Sequence, residues 1–399
     1  MFPLKGFYRK HLPRNNLSKI AYIRFISSFS IAAVATIWSL YLNSFLHNPA
    51  YVGFLSSFFT IILFFSFFMI VPLLEKYDKA KLFSFSLGVL TIVFFLLGFI
   101  TNFYLFFIFA IVFLLAKALS LTSYGILIKD NSSRKDLAKN EGFVYSLLNI
   151  AWIIGPLVAG YIAFIYNLRA VFILGGFFML LSFVLFKRAK IVDNNIKKRI
   201  DKNFLKNLKD FLSNKDRVYS YFISGGISIW WVLIFIFVPL YIVENGLGEI
   251  IVGYFLVGIG IPLVLFEYYF SKIAEKKGFK KLFKTGYFLV FIVSILCFFI
   301  SNIYLLLGLL IFASLGIAMI EPTSEAYFFD IVKKNQDLRF YAPYNTTIVF
   351  HEFIGKISAA IVLLFLPFNY LFLLFGGFML MMFFISLRMR DVFECKRKD

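Results

Sequence analysis

Two short charged stretches decide how this sequence folds: LLEKYDKAKLF, residues Leu73–Phe83, and IAEKKGFKKLF, residues Ile273–Phe283. Each lies between long runs of almost purely apolar residues, and the second begins 200 residues after the first. The same offset aligns polar residues elsewhere, such as Asn102 with Asn302. Shared hydrophobicity alone would not align a glutamate, an asparagine and a lysine pair. The sequence therefore predicts an internal repeat.

The composition predicts a membrane protein. Of 399 residues, 61% are hydrophobic and 21% aromatic, which is more apolar side chain than a soluble chain of this length can cover. Apolar runs of about 20 residues recur, as a bilayer-spanning helix requires, and the alternation of a membrane barrel is absent. We predict an all-α polytopic fold with twelve transmembrane helices. The spans are expected at 20–43, 50–74, 82–100, 104–128, 141–165, 169–186, 218–243, 249–270, 284–301, 303–328, 340–365 and 370–387.

The basic residues predict the orientation in the membrane. Nearly all lysines and arginines fall at the termini and in the loops on one side, and only Arg169 lies in a loop on the other side. Cytoplasmic loops of membrane proteins carry such an excess of basic residues, so both termini are expected in the cytoplasm. The chain is expected in the cytoplasmic membrane of the cell. The formal charge of +20 then reflects orientation and contact with lipid headgroups, and not nucleic-acid binding.

The repeat divides the chain into an N-terminal six-helix half, 1–186, a basic cytoplasmic linker, 187–217, and a C-terminal six-helix half, 218–399. The apolar residues of the linker recur near helical spacing, which predicts an amphipathic helix on the membrane surface. They are Ile196, Ile200, Phe204, Leu208, Phe211 and Leu212. A disordered linker is the alternative.

The repeated hairpin resembles a motif of the major facilitator superfamily, whose loop after the second helix reads G-x-x-x-D-R-x-G-R-R and often recurs after the eighth helix. The second copy here keeps an acid at Glu275, a glycine at Gly278 and a following basic pair. The first copy has Asp78 where glycine is usual. Two parallel six-helix halves with a midplane site are also the architecture of that superfamily. The resemblance implies a secondary transporter that works by alternating access.

The hairpins are interpreted as a cytoplasmic gate, in which a carboxylate and nearby cations pair in one state and separate in the other. The gate residues are predicted to be Glu75, Lys76, Lys79, Asp130, Glu275, Lys276, Lys280 and Asp330. Under the alternative interpretation, these lysines only determine topology.

The fifth span contains IIGPLVAGY, in which Gly155 and Pro156 are followed by Gly160. Proline removes a backbone hydrogen bond and glycine permits close helix packing, so a kink is expected here. The pattern is similar to the G-P-x-x-x-G element of the proton-driven exporters in the superfamily, which implies a drug/proton-antiporter-like branch. A kink that serves packing alone is the alternative.

Ionisable residues within spans mark a candidate proton-coupling and substrate cavity, because hydrocarbon penalises a central charge by about 2.5–3.5 kcal/mol. The candidates are Lys117, Glu321, Glu325, His351, Glu352 and Lys356. Lys117 falls where the related exporters usually have an arginine, and Glu352 and Glu321 are the predicted proton carriers. A structural ion pair is the alternative. Arg24 and Glu267 are expected to snorkel from helix ends.

The sequence thus predicts a proton-coupled exporter of a small organic solute, with protons and membrane lipids as further partners and a monomeric state. Proton symport of a nutrient is the leading alternative. A polytopic membrane enzyme is less favoured, because the loops opposite the basic side are only a few residues long. No nucleotide-binding loop occurs, and neither a cofactor nor a metal is expected. Cys297 and Cys395 are predicted on different elements, which argues against a disulfide.

Overall fold

The computed structural model describes residues 15–131, 137–191, 204–332 and 336–390. Within these ranges the chain forms fourteen α-helices and one π-helical turn, Leu233–Phe237. The helices are α1 Asn15–Leu46, α2 Pro49–Lys76, α3 Lys79–Phe99, α4 Phe103–Asn131, α5 Leu137–Ile165, α6 Leu168–Ala189, α7 Phe204–Leu212, α8 Lys215–Val232, α9 Val238–Glu244, α10 Glu249–Lys277, α11 Phe279–Phe299, α12 Ile303–Ile331, α13 Asp337–Phe365 and α14 Tyr370–Arg388.

Twelve segments of the described chain are long and apolar enough to cross a membrane. They are α1–α6, the continuous stretch Lys215–Glu244 that joins α8 and α9, and α10–α14. Each has 19 to 30 residues, close to or above the roughly 20 that a bilayer demands. The predicted all-α, multi-pass membrane fold is confirmed, and the described ranges contain no strand.

The helices repeat with the same offset as the sequence. Helices α3 and α11 both have 21 residues, and α11 begins 200 residues after α3. Helices α4 and α12 both have 29 residues and are related by the same shift. The two helices that follow each charged hairpin therefore repeat in length and spacing in the structure.

The two hairpins turn differently at the position where their sequences diverge. Asp78 has φ −60° and caps α3, since its carboxylate accepts hydrogen bonds from the N–H groups of Ala80 (2.7 Å) and Lys81 (3.2 Å). Gly278 instead has φ +83°, a conformation that glycine adopts at little cost. The first copy thus replaces a left-handed glycine with a helix-capping aspartate, which explains why the usual glycine is dispensable there.

Backbone contacts divide the chain into two compact units. The first comprises Met1–Ile37 and Phe65–Ile200, and the second comprises Trp38–Phe64 and Asp201–Asp399. In the second unit, the part of α2 before Phe65 packs tightly against α13, because a Cβ atom placed on Gly53 would lie 2.8 Å from the Cβ of Ala360. The predicted halves 1–186 and 218–399 describe the sequence repeat, and this boundary stays a prediction.

The π-helical turn interrupts the seventh span within the second unit. The N–H of Val238 donates to the carbonyl of Leu233, five residues back. Pro239 has no N–H to donate to the carbonyl of Phe235, four residues back. The Ser39 hydroxyl lies 3.4 Å from that carbonyl and donates to it. A backbone acceptor that would be costly to leave unsatisfied in lipid thus gains a side-chain donor.

Helix α7, from the linker, packs through its apolar side onto other helices of the second unit. Phe211 is fully buried in a cluster that α8, α12 and α13 complete. The other members are Tyr221, Phe328, Val332, Phe340 and Tyr344. Arg339 donates through Nε to Asn207 (2.7 Å) and forms an ion pair with Asp210.

The predicted position of the linker at the membrane surface stays a prediction, since the packing of α7 concerns only its contacts within the protein. Phe211 lies inside the protein because aromatic rings of three other helices offer it a dry site. Ile196 and Ile200, two other members of the predicted apolar stripe, lie outside the described residues.

Candidate functional site in the second unit

An ion pair lies midway along α13. Glu352 is fifteen residues from the start of the helix, about 22 Å along its axis. Lys356 donates to Glu352 at 2.7 Å and to the hydroxyl of Thr60 at 2.8 Å. The Lys356 side chain is 12% exposed and that of Glu352 is 31% exposed. Residues four apart share a helix face, so the sequence spacing itself forms the pair and leaves the carboxylate as its more accessible member.

A second acidic position lies on α12. One carboxylate oxygen of Glu321, Oε2, is buried and has no hydrogen-bond partner among the described residues. The Trp231 side chain and Glu267 on α10 both lie close enough to the Glu321 carboxylate to interact with it electrostatically. Gly258 of α10 contacts Ile311 of α12, and the two helices run in the same direction. Glu267 is nine residues after Gly258 and Glu321 is ten residues after Ile311, so the two glutamates lie at nearly the same height along the helix axes. Helices α8, α10 and α12 therefore surround an indole and two carboxylates.

The structure corrects two sequence interpretations at this depth. The helix of the eighth span continues to Lys277, so Glu267 lies ten residues, about 15 Å, from the helix end and not within a turn of it. Arg24 also lies well inside its helix, which begins at Asn15. Its side chain is buried, 5% exposed, with the guanidinium 4.7 Å from the ring of Tyr124. Both interpretations were wrong because the helices extend beyond the apolar runs that define the spans.

His351 lies beside Glu352 in sequence but in a closed environment. It is 1% exposed, and its Nδ1 lies 3.0 Å from the hydroxyl and 2.9 Å from the carbonyl of Thr347. The rings of Tyr221, Phe222 and Phe350 surround the imidazole at 5.3–5.4 Å. A Cβ atom on Gly225 would come within 2.2 Å of Nδ1. The imidazole thus fills the contact between α8 and α13.

Two further candidates have surroundings of their own. Lys117 belongs to the first unit, midway along α4, with its ammonium 5.8 Å from the ring of Phe113. Glu325 lies one turn beyond Glu321 but is exposed, and its carboxylate accepts a hydrogen bond from Tyr341 at 2.7 Å. The structure therefore brings Glu352 and Lys356 into direct contact, whereas Glu325 bonds a tyrosine near the end of the span.

The predicted gate is described in part. Three of its carboxylate side chains lie outside the described residues: Glu75, Asp130 and Glu275. Its other members lie at helix ends. They are Lys76 at the end of α2, Lys79 at the start of α3, Lys276 in the last turn of α10, Lys280 in the first turn of α11, and Asp330 in the last turn of α12. Lys79 is buried and Lys276 is exposed, and the gating role stays a prediction.

The glycine-proline element lies in the interior of α5, which is continuous from Leu137 to Ile165. A Cβ atom on Gly155 would lie 2.8 Å from the Cβ of Ala32 and 3.1 Å from the backbone nitrogen of Ala33. Pro156 and Gly160 are both buried. Close packing of α5 against α1 therefore requires glycine at position 155, while a role in antiport stays a prediction.

The described residues contain no group of three or more His, Cys, Asp or Glu side chains that could hold a metal ion. Cys297 is a buried free thiol, and Cys395 lies outside the described residues. The site therefore offers charged and polar groups within membrane spans for binding a solute or a proton.

Comparison with known proteins identifies the family. The sequence model of the Major Facilitator Superfamily matches residues 20–266 and 258–398. The chain belongs to the Major Facilitator Superfamily. Its members are transporters, so the function class is transport of a solute across a membrane and not catalysis. No curated protein sequence matches the chain.

Solved structures share this fold at low sequence identity. A POT family transporter in complex with a thioalcohol-conjugated peptide has a TM-score of 0.79 and 12% identity, with 95% of this chain and 98% of that chain covered. A peptide transporter POT in complex with sulfate has a TM-score of 0.72 and 12% identity, with 97% of each chain covered. A bacterial metal transporter has a TM-score of 0.65 and 13% identity, with 94% and 98% covered. At such identities the likeness concerns the fold alone.

Three residues of the site were absent from the sequence-based set of candidates. Thr60 accepts a hydrogen bond from Lys356, and Trp231 and Glu267 lie near Glu321. Thr60 ends a cluster with Ser56 and Ser57 in an otherwise apolar span, and that local polarity is a signal that could have found it. Trp231 carries no such signal, because tryptophan is common in membrane spans.

Proposed function

We propose that this transporter exports small organic solutes in exchange for protons, within the drug/proton-antiporter-like branch of the superfamily. The observation that carries the proposal is the Glu352–Lys356 ion pair midway along a membrane span. A charge at this depth is costly, so protonation of Glu352 would free Lys356 from its partner. A substrate that binds either member would likewise disturb the pair. Proton and substrate then compete for one electrostatic site, as antiport requires.

Glu321 is proposed as the second proton carrier. Its Oε2 atom is buried and has no hydrogen-bond partner among the described residues, and Glu267 is a like charge nearby. Two carboxylates in a medium of low dielectric constant repel each other strongly, and a proton on one removes that repulsion. In this scheme Lys117 of the first unit is the cation that responds to the charge change.

Proton symport of a nutrient is the second candidate, and it is favoured by the fold neighbours that are named peptide transporters. The same ion pair serves symport if substrate and proton bind together and not in competition. Antiport and symport therefore use the same residues and differ in whether proton and substrate binding oppose or favour each other.

A pH gradient across proteoliposomes distinguishes the candidates, whichever way the protein inserts. Antiport accumulates substrate when the interior is acidic, because protons leave as substrate enters. Symport accumulates substrate when the interior is alkaline. A panel of small organic cations, zwitterions and peptides, screened by counterflow, supplies the substrate. Accumulation that depends on neither gradient would overturn the proton assignment.

The carriers are tested with Glu321→Gln and Glu352→Gln. We expect each to abolish accumulation against a gradient while sparing downhill exchange, because exchange needs the binding site but not the proton. Glu249→Gln, at the start of α10 outside the acidic set, is the matched control and should accumulate normally. If both site variants still accumulate substrate, these carboxylates are structural ion-pair members.

The proposal places the protein in the cytoplasmic membrane as a monomer with both termini in the cytoplasm. The asymmetry of the basic residues supports this orientation. Opening and closing of the cytoplasmic side is assigned to the repeated hairpins, whose charged residues recur in register.

A further inference from the structure

A groove runs along the outer face of the second unit, between α8 and α14, away from the acidic set. Its volume is about 510 Å³. The lining residues are Tyr219, Gly377, Leu380, Met381, Phe384, Ile385 and Arg388. Met381 and Phe384 are exposed, and in a membrane-spanning unit exposed apolar side chains of this kind face lipid. The groove is thus apolar along its floor, with a phenol and a guanidinium as its polar groups.

The two polar groups lie at the same end of the groove. A Cβ atom on Gly226 of α8 would lie 2.8 Å from Cγ of Met382 on α14, and these helices are antiparallel neighbours. Tyr219 is seven residues before Gly226, and Arg388 is six residues after Met382. Tyr219 and Arg388 are therefore level with each other at the basic end of the unit.

The floor of the groove extends inward to a glycine. Gly377 is eleven residues before Arg388, about 16 Å along α14. A Cβ atom on Gly377 would have no atom within 4 Å, so the absent side chain leaves open space and serves no helix packing. The groove therefore reaches from the helix end at Arg388 to about halfway across the bilayer core.

Arg388 is available to an anion. Among the residues that the structure describes, no carboxylate pairs with it, and its side chain is exposed. Guanidinium groups bind phosphate oxygens in a bidentate manner, and a tyrosine hydroxyl beside it supplies another donor. Basic pockets between membrane helices bind anionic headgroups by the same chemistry.

We propose that this groove binds one anionic phospholipid. Its phosphate contacts Arg388 and Tyr219, and one of its two acyl chains lies along the floor toward Gly377. The lipid bridges α8 and α14, the first and last spans of the C-terminal half. Its binding does not depend on the transported solute or on the coupling ion.

Native mass spectrometry of the full chain tests the site, with phosphatidylglycerol and phosphatidylcholine of identical acyl chains. We expect phosphatidylglycerol to be retained preferentially, with one copy bound most tightly. Arg388→Gln should weaken phosphatidylglycerol about fivefold, the equivalent of about 1 kcal/mol for one basic residue near a membrane surface. Phosphatidylcholine should be little changed. Arg390→Gln is the matched control, because Arg390 carries the same charge near the same end but does not line the groove.

The floor is tested separately with Gly377→Leu, which fills open space and should weaken both lipids without a loss of folded protein. A photoactivatable phosphatidylglycerol should crosslink within residues 377–388 in the wild type and lose that crosslink in Gly377→Leu. Equal weakening by Arg388→Gln and Arg390→Gln would show diffuse surface attraction and overturn the proposal. Equal retention of the two lipids by the wild type, or crosslinks confined to other helices, would also overturn it.

Discussion

The ion pair on α13 makes a quantitative prediction about stability. Glu352→Gln leaves the Lys356 ammonium in the membrane with Thr60 as its remaining hydrogen-bond partner among the described residues. A hydrogen bond between charged groups contributes about 1.5–3 kcal/mol, and loss of one member of a fully buried pair costs about 3–5 kcal/mol. Because Glu352 is 31% exposed, we expect a value near the lower range, about 2 kcal/mol. With about 2.1 cal/mol/K of unfolding entropy per residue, this shifts the Tm of the 399-residue chain by about 2–3 °C.

A double-mutant cycle isolates that energy from other effects of the substitutions. Glu352→Gln, Lys356→Met and the double variant are compared by thermal unfolding in one detergent. The double variant removes both charges, so its loss should be smaller than the sum of the single losses by about 2 kcal/mol. Lys356→Met combined with Glu249→Gln is the control and should be additive. Additivity within about 0.5 kcal/mol for the Glu352–Lys356 cycle would show that the pair is not coupled.

Three other outcomes are expected. On a background without native cysteines, a cysteine at Glu249 should react with a membrane-impermeant reagent in sealed cells. A cysteine at Lys280, which is not buried, should be protected; labelling of the second alone would refute the orientation. Glu275→Gln should leave insertion intact and slow turnover, and transport at the wild-type rate would reduce the second hairpin to a topology signal. Gly225→Ala should destabilise the protein by about 1–3 kcal/mol, because the added methyl group overlaps His351. Gly308→Ala is the control and should not destabilise the protein, because the added methyl group meets no atom within 4 Å. Equal unfolding temperatures of the two variants would show that the His351 imidazole moves aside freely.

The sequence could predict the spans because hydrocarbon imposes one simple condition on every helix that crosses it. Length and apolarity are local properties, and they located all twelve segments. Helix ends were harder, because charged turns such as the one at Lys277 extend a helix beyond its apolar run. This is why Glu267 was assigned to a helix end although it lies about 15 Å from it.

Within the site, only contacts along one helix could be predicted. Glu352 and Lys356 are four residues apart, and helix geometry brings them together without any tertiary information. The contact between Lys356 and Thr60 joins residues 296 positions apart, and no periodicity in the chain encodes it. The closed position of His351 likewise depends on Gly225 of another helix. Residue type therefore predicts that a buried ionisable group matters, while packing decides what it contacts.

The docking of α7 has a consequence for the order in which the protein is made. Phe211 is synthesised more than a hundred residues before Phe328, Phe340 and Tyr344, the rings that bury it. Until α12 and α13 have emerged from the ribosome and entered the membrane, Phe211 lacks the aromatic rings that bury it, and Asp210 lacks its ion-pair partner Arg339. Helix α7 thus completes its packing only after α13 has been synthesised, and chains truncated before α13 leave an aromatic side chain open to chaperones and proteases.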